Sequence, residues 1–451
     1  MEEHKSPRVI LGLLSQRTSL TWRRKATRSP STWSPSTSIC KIKSRMLRTM
    51  LTSVIYRNSS GTTTLLDLPA SIQNGQCLRN QQPVQTVPRV LSARAPEQAY
   101  PNVEPKGLKR ARLLRNIPHT EQDHHHSLQA LIAASLQEIG SAIGQRQWLL
   151  PRQPLLSSDE NPLRTSRKGK VDQVDQVALE PHTVLSSISN IFSSPDDIAD
   201  RLVSNPSNLC TRLVLGSHAY HIPPRSKFIL SDVTRFGHVP AAFSKRFAQR
   251  CFDFIVMDPP WPNRSVRHAK AYKTSESCSK DPFLCVLPVL NNNLRSDGYV
   301  GIWVTNKATI RQVVTLSLDQ QGFQLYEEWI WMKTTVDGDP VTPLDGLWRH
   351  PYEVLLLFCR KQRPKCGTAS DAAEPAIVSP LATRVPRHVF VAVPGHHSQK
   401  PCLREFIEPL LNDAADYQAL EIFARNLTAG WCSWGDEVLK FNLEAHWDKV
   451  N

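Results

Sequence analysis

Several features are scarce in these 451 residues, and each scarcity excludes something. No stretch reaches the ~18 consecutive apolar residues that a bilayer-spanning helix needs, so no membrane partner is expected. The apolar run Val9 to Leu14 is too short for a signal-peptide core and has acids ahead of it. Ten cysteines are present, but none forms a Cys-x-x-Cys pair. A secreted disulfide scaffold is short and cysteine-dense, so reduced thiols in an intracellular protein are expected. The clustered ligands of a zinc site are missing, and no metal is expected. Acids are nearly absent from one end. Residues 1–66 hold 12 Lys/Arg against Glu2 and Glu3 alone, which is +10 of the net +15. The remaining 385 residues carry only +5 (15 minus 10), a mildly basic body that tolerates phosphates without proving that it binds them.

What is present divides into three parts, and at ~150 residues per domain the length allows two or three domains. Residues 1–49, rich in Ser, Thr, Arg and Pro with no hydrophobic period, read as a disordered basic arm. A mitochondrial transit segment and a translation start at Met50 stay open as readings of it. Residues 50–212 read as an accessory α+β region that opens with strand Ser53–Tyr56, turn Asn58–Gly61 and strand Thr62–Leu68. Residues 76–127 read as loop. Within them Lys106–Arg112 and Arg115 make a basic cluster, suited to nuclear localisation, to nucleic acid, or simply to solvent. Asp123-His-His-His126 has metal-binding side chains, although a His run in a polar loop is more often inert. Leu128, Leu131, Ile132, Leu136, Ile139 and Ile143 form one stripe of an amphipathic helix. Residues 151–181 read as linker, and Val184–Phe192 and Ile198–Val203 as short helices.

From 213 to 445 apolar strands alternate with helical stretches. The strands are expected at Lys227–Ser231, Phe252–Met257, Val300–Val304, Trp329–Lys333, Val354–Phe358, Val389–Val393 and Leu420–Phe423. Helices are expected at Pro282–Asn293, Lys307–Leu318 and Cys402–Leu411. Alternation of this kind predicts an α/β domain with a mostly parallel sheet and helices on both faces. The Pro/Ala/Ser-rich stretch 361–383 reads as a surface insertion.

The centre of that domain is FDFIVMDPPW at 252–261. Its apolar run is a buried strand, and Pro259 and Pro260 end it, because proline fixes φ and offers no N–H. Asp258 therefore sits at a carboxyl strand end, where open α/β sheets place their ligand crevice. The Asp258 carboxylate and the Pro259 carbonyl are both acceptors, and Trp261 adds a flat aromatic face. The set suits a planar ring bearing an exocyclic amine, with each N–H accepted by one oxygen. Base–aromatic stacking is worth roughly 1–3 kcal/mol. Holding both hydrogens tetrahedrally draws the amine lone pair out of ring conjugation, so that it can attack an electrophilic methyl group. The carboxylate stabilises the cationic amine that develops. In a duplex the base would first be flipped out. An ordinary proline turn with a surface tryptophan is the plain alternative.

The stretch resembles the catalytic motif of amino-methyltransferases that modify adenine. More of the chain is similar to the family founded on the messenger-RNA adenosine methyltransferase (MT-A70-like), in its methyltransferase-like 4 branch of fungal type. The matching segments are HIPPRSKFILSDV at 221–233, DPPWPNRSVR at 258–267, WVTN at 303–306, PLD at 343–345, PYE at 351–353, SQKP at 398–401 and EIFARNLTAGWCSWGDEVLKF at 421–441. SVIYRN at 53–58 also looks like the start of fungal members. The resemblance implies a permuted, Rossmann-like class I methyltransferase fold in which the catalytic motif precedes the cofactor motif. That accounts for the absence of a G-x-G-x-x-G after the first strand. It implies S-adenosylmethionine as cofactor, with Asp258, Pro259, Pro260 and Trp261 catalytic. The cofactor-binding set it implies is Asp232, Val233, Asp258, Lys400, Glu421, Arg425, Asn426 and Asp436. Asp436 stands where the family usually has asparagine, and Gln399 where it usually has histidine.

Asn263, Arg264, Arg267 and Tyr272, with His268, Lys270 and Lys273, form a basic aromatic loop suited to substrate phosphates, a solvated lid being the plain alternative. The function implied is methyl transfer to N6 of adenine in RNA, small nuclear RNA first, or DNA. The competing readings are a catalytically silent nucleic-acid-binding or scaffold subunit, and methylation of a protein or small-molecule amide. Relatives of the branch act as monomers. The basic cluster favours the nucleus, and the N-terminal arm keeps mitochondria open.

Overall fold

The computed structural model describes residues 52–78, 88–101, 104–144, 146–155, 182–233, 251–261, 281–361 and 385–448. The arm 1–49, most of the linker 151–181, the insertion beyond Lys361 and the loop carrying Asn263, Arg264, Arg267 and Tyr272 lie outside the described residues.

β1 (Val54–Arg57) and β2 (Thr63–Leu66) form the hairpin expected from the Asn58–Gly61 turn. Helix α1 (Leu68–Gly75) follows at once. Its N-cap Asp67 accepts from the Ala70 N–H at 2.9 Å, and Pro69 stands in the first turn, where a missing N–H costs nothing. β3 (Leu91–Ser92) later pairs with β4 (Gln153–Pro154). Between them lie α2 (Gly107–Arg115) and the 25-residue α3 (His119–Ile143). The expected loop over 76–127 is corrected here, because Leu, Lys, Arg and Ala in α2 are strong helix formers. The His run is likewise helical, within α3. That helix buries Leu128, Ile132, Ser135, Ile139 and Ile143 against β2 and the sheet face.

The two short helices expected at 184–192 and 198–203 are strands instead. β5 (Thr183–Val184) pairs with β7 (Leu202–Ser204), and β6 (Ser189–Phe192) with β8 (Thr211–Leu215). Short apolar runs do not reveal their period, and strand pairing decides it. β8 turns through Gly216 into β9 (His218–Ile222), a hairpin absent from the expected elements.

The remaining elements are β10 (Lys227–Leu230), β11 (Phe252–Met257), α4 (Pro282–Asn293), β12 (Leu294–Val304), α5 (Ala308–Gln320), β13 (Phe323–Lys333), β14 (Tyr352–Arg360), β15 (Arg387–Ala392), α6 (Arg404–Ile407), β16 (Ala419–Ile422) and β17 (Cys432–Gly435). The helix expected over 402–411 shrinks to α6 and a 3₁₀ turn at Glu408–Leu410, with Pro409 inside that turn.

Twelve strands make one mixed sheet, ordered β1-β2-β15-β13-β14-β12-β11-β16-β17-β10-β7-β5. β15, β13, β12, β11, β16, β17 and β10 share one direction, and β14 runs against both neighbours. Strands from residues 50–212 complete the sheet at both margins. β11 is buried on both faces, as a central strand must be. Ile255 and Met257 join the core under α3 and α4, whereas Phe254 and Val256 join the core on the opposite face.

Candidate active site

From β11 the chain leads outward to β12 on one side, and from β16 to β17 on the other. The crevice at such a switch point lies beyond the carboxyl strand ends. Asp258 leaves β11 there, and Val256 is in register with Glu421 of β16. A cavity at this point is lined by Asp258, Lys400, Glu421, Arg425 and Asn426, with Trp303, Gln399 and Phe441. Five of the eight expected cofactor residues thus meet, from positions up to 168 apart in the sequence (258 to 426).

Charge is arranged along this edge in strict alternation. Lys333, at the end of β13, pairs with Glu353 near the start of β14. Glu353 pairs with Lys400 at 2.6 Å, and Lys400 with Asp258 at 3.2 Å. Arg425 lies 3.0 Å from Asp258 and 3.1 Å from Glu437. Burial pushes the Glu353 carboxyl up, but Lys400 and Lys333 outweigh it and hold the group well below the usual carboxylate range. Burial works to lower Lys400, yet Asp258 and Glu353 raise it. Both groups are therefore ionised, and Asp258 is clamped between two cations. Lys400 also lies over the Trp303 ring, 5.1 Å from its centroid.

Glu421 is the exception. Burial first, then Asp258, lifts its carboxyl to about 8, against the pull of Arg425 and Lys400. At neutral pH it is protonated and can donate a hydrogen bond. Asn426 turns a buried Oδ1 toward this cavity region with no hydrogen-bond partner among the described residues. Asp232, past the end of β10, lies near Asp436. Burial, Glu437 and Asp232 together raise the Asp436 carboxyl. Val233 is buried in the core, 3% exposed.

The catalytic turn is braced from within. The Trp261 N–H donates to the Pro259 carbonyl at 2.8 Å, which leaves that oxygen a second lone pair. The Trp261 indole is 7% exposed, donates to the Trp303 carbonyl at 2.8 Å and leans on Phe283, 5.7 Å between centroids. In this structure the ring is a buttress of the turn, and the open aromatic face expected from sequence is covered.

Backbone strain concentrates here too. Ser398 (φ 65°) and Phe423 (φ 60°) both line the cavity, and a left-handed non-glycine residue costs of order 1–3 kcal/mol. The turn after β16 lies against Gly435, where a Cβ would stand 2.7 Å from the Ala424 carbonyl oxygen. The loop bearing Arg425 and Asn426 is tied down from α1. Gln76 donates to the Leu427 carbonyl at 2.8 Å, and Asn442 accepts from the Leu427 N–H at 2.7 Å.

Lys333, Glu353 and Glu437 were not among the expected site residues. A weak signal exists for the first: Lys333 ends an apolar strand as Asp258 does.

Fold and site together define an α/β protein with a polar, charge-paired ligand crevice at the switch point of its sheet. The chain belongs to the MT-A70 family, whose match spans residues 252–437. It is 30% identical over 422 residues to the "N6-methyladenosine RNA methyltransferase MTA1" of Pyricularia oryzae, covering 88% of this chain and 97% of that protein. It is 34% identical to the Cryphonectria parasitica protein of the same name, over 56% of this chain and 74% of the relative. The mouse "N(6)-adenine-specific methyltransferase METTL4" is 32% identical, over 54% of this chain and 48% of its own length.

Proposed function

We propose that this protein transfers a methyl group from S-adenosylmethionine to the N6 amine of adenine in nucleic acid, on a permuted Rossmann-like class I fold. The observation that carries the reading is Asp258. It leaves β11 beside β16 and the turn that follows it, and Lys400 and Arg425 lie 3.2 Å and 3.0 Å from its carboxylate.

The residues present fit the cofactor. Lys400 and Arg425 are cations for its carboxylate, Asp258 an anion for its ammonium, and the unpartnered Asn426 Oδ1 an acceptor for a hydroxyl or N–H. Asp232 and Asp436 offer acceptors for ribose hydroxyls at the next two strand ends. When bound, S-adenosylmethionine supplies an electrophilic methyl group on a sulfonium.

The chain does the rest by positioning and charge. The Asp258 carboxylate and the free lone pair of the Pro259 carbonyl each accept one amine N–H, which turns the nitrogen lone pair outward. Asp258, flanked by Lys400 and Arg425, stabilises the positive charge developing on that nitrogen. Glu421, neutral beside it, adds no second negative charge to the pocket. The Trp261 buttress keeps the turn from yielding as the amine is gripped.

RNA is the polynucleotide we infer, because the relative matched over 97% of its length is named for it. The presence of Asp258, both prolines, Trp261 and Lys400 favours activity over a silent scaffold role. The test uses purified protein, labelled S-adenosylmethionine and matched RNA and DNA oligonucleotides. Label is expected in adenine of the RNA. Label in neither nucleic acid, with cofactor binding shown by calorimetry, would overturn the proposal.

A further inference from the structure

Helix α2 takes no part in the site described above, and none of its residues is buried. Between Glu104 and Glu121 the chain carries Lys106, Lys109, Arg110, Arg112 and Arg115 and no acid. A helix face that is merely solvated usually mixes both signs. Four of these cations recur every three residues, 106, 109, 112 and 115, and all four are exposed. Each step of three residues turns back about 60° on the helix, so Lys109, Arg112 and Arg115 form a ridge winding over about 120° and about 9 Å, with Lys106 at the N-cap beyond it.

The fifth is used differently. Arg110 turns to the 343–349 loop, where its Nη2 donates to the Asp345 carbonyl at 2.7 Å and carboxylate at 2.9 Å. Glu104 accepts from the Leu347 N–H in the same loop at 2.9 Å. These bonds fix α2 to the connection that feeds β14, four residues ahead of Glu353. The loop also presents Trp348, 56% exposed, with the Lys109 ammonium 5.7 Å from its ring centroid. An exposed indole beside a row of unopposed cations pairs a stacking face with a backbone-tracking charge, the two elements of sequence-tolerant single-strand binding.

We propose that the Lys109–Arg112–Arg115 ridge and Trp348 form a nucleic-acid docking surface on the carboxyl side of the sheet, holding single-stranded substrate that flanks the target base. This rests on the proposed function and names where its substrate lies.

The test measures binding without chemistry. Fluorescence anisotropy follows a labelled single-stranded RNA oligonucleotide on the full chain over a salt series. The triple variant Lys109→Ala/Arg112→Ala/Arg115→Ala leaves Arg110 in place to keep α2 docked. It is expected to bind about 10- to 100-fold more weakly at 0.1 M salt, with the slope of log K against log salt shallower by about 2. Trp348→Ala is expected to weaken binding about 5- to 150-fold with the slope unchanged. Lys109→Arg should retain wild-type affinity. Thermal melting of each variant checks folding. Wild-type affinity and slope in a folded triple variant would overturn the proposal. So would a triple variant that loses only nuclear accumulation, which would make the ridge an import address, or only affinity for anionic vesicles. Oligonucleotide binding through the ridge with no methyl transfer would instead defeat the proposed function and leave this surface standing.

Discussion

Tyr352 and Glu353 are neighbours in the chain and belong to opposite kinds of polar system. Successive strand residues point to opposite faces of the sheet. Glu353 joins a belt of six alternating charges, Lys333–Glu353–Lys400–Asp258–Arg425–Glu437. Tyr352 faces α3 and joins a group that is neutral. Its hydroxyl lies 2.7 Å from His125 Nδ1, and His125 Nε2 lies 3.1 Å from the Asn306 carbonyl. The carbonyl takes the Nε2 proton, so Nδ1 accepts from the tyrosine. His350 stacks on both rings, 4.3 Å and 5.2 Å between centroids. Burial, then Arg311, lowers His124 to about 3 and lowers His125; burial, then His125, lowers His350 to about 4. Glu353 and its neighbours meet the cost of burial by pairing charges; Tyr352 and the histidines meet it by giving charge up, although the same side of the sheet also buries the Glu328–Arg387 ion pair at 2.7 Å. Only the first keeps a field that can act on a reacting amine.

Substitutions that separate the two faces test this contrast. The largest effect is expected from Asp258→Asn, which keeps the shape and removes the anion from the middle of the belt. Turnover should fall at least ~100-fold in the labelled-methyl assay; near-intact activity would contradict the role of Asp258. Next comes the adjacent pair. Glu353→Gln leaves Lys333 and Lys400 without their shared anion and should slow transfer about tenfold, the loss of one charge-assisted hydrogen bond. Tyr352→Phe should leave the rate within about twofold while costing roughly 1 kcal/mol of stability by chemical denaturation. Equal rate losses in the two variants would erase the distinction between the faces.

The smallest effects are in pH dependence, and the two systems carry opposite signs. The native histidines bind fewer protons than the unfolded chain below their ordinary value of 6.5. Their contribution is therefore present above that value and is lost as pH falls toward 4. Glu421 is protonated in the native state up to about 8 and ionised in the unfolded chain above 4.5. Its contribution is lost as pH rises from 4.5 toward 8. Glu421→Gln, which stays neutral, should raise the melting temperature by a few degrees more at pH 8 than at pH 5. A gain that does not change with pH would mean that Glu421 is ionised in the folded protein.

Local signals made much of this fold legible. The Pro282–Asn293 helix is found at its expected bounds, because Asp281 caps it and Pro282 opens it. β11 ends where its prolines require. The β8–β9 hairpin carries a signal too, Gly216-Ser217 between two β-rich runs, yet it is missing from the expected strands. Of the site, Asp258, Lys400, Glu421, Arg425 and Asn426 are marked by resemblance to short segments. Glu353 lies in one such segment, PYE at 351–353, but the segment does not say that it joins the site. It reaches the edge only because β14 runs antiparallel and delivers its first residues there, and strand direction is set by tertiary pairing. The coverage of Trp261 is equally non-local, since it depends on a carbonyl 42 residues away.

The belt also sets an order of events during synthesis. Asp258 and its cationic partner Arg425 are 167 residues apart. At ribosomal speed the aspartate waits on the order of ten to thirty seconds for that partner. Meanwhile β11 has its β12 neighbour but not β16, so an apolar strand edge and an unclamped carboxylate stand open together on the nascent chain. Residues beyond 419 close both at once. A ribosome halted in the 361–383 stretch would therefore hold Lys333, Glu353 and Asp258 on a chain that still lacks Lys400, Glu421, Arg425 and Asn426.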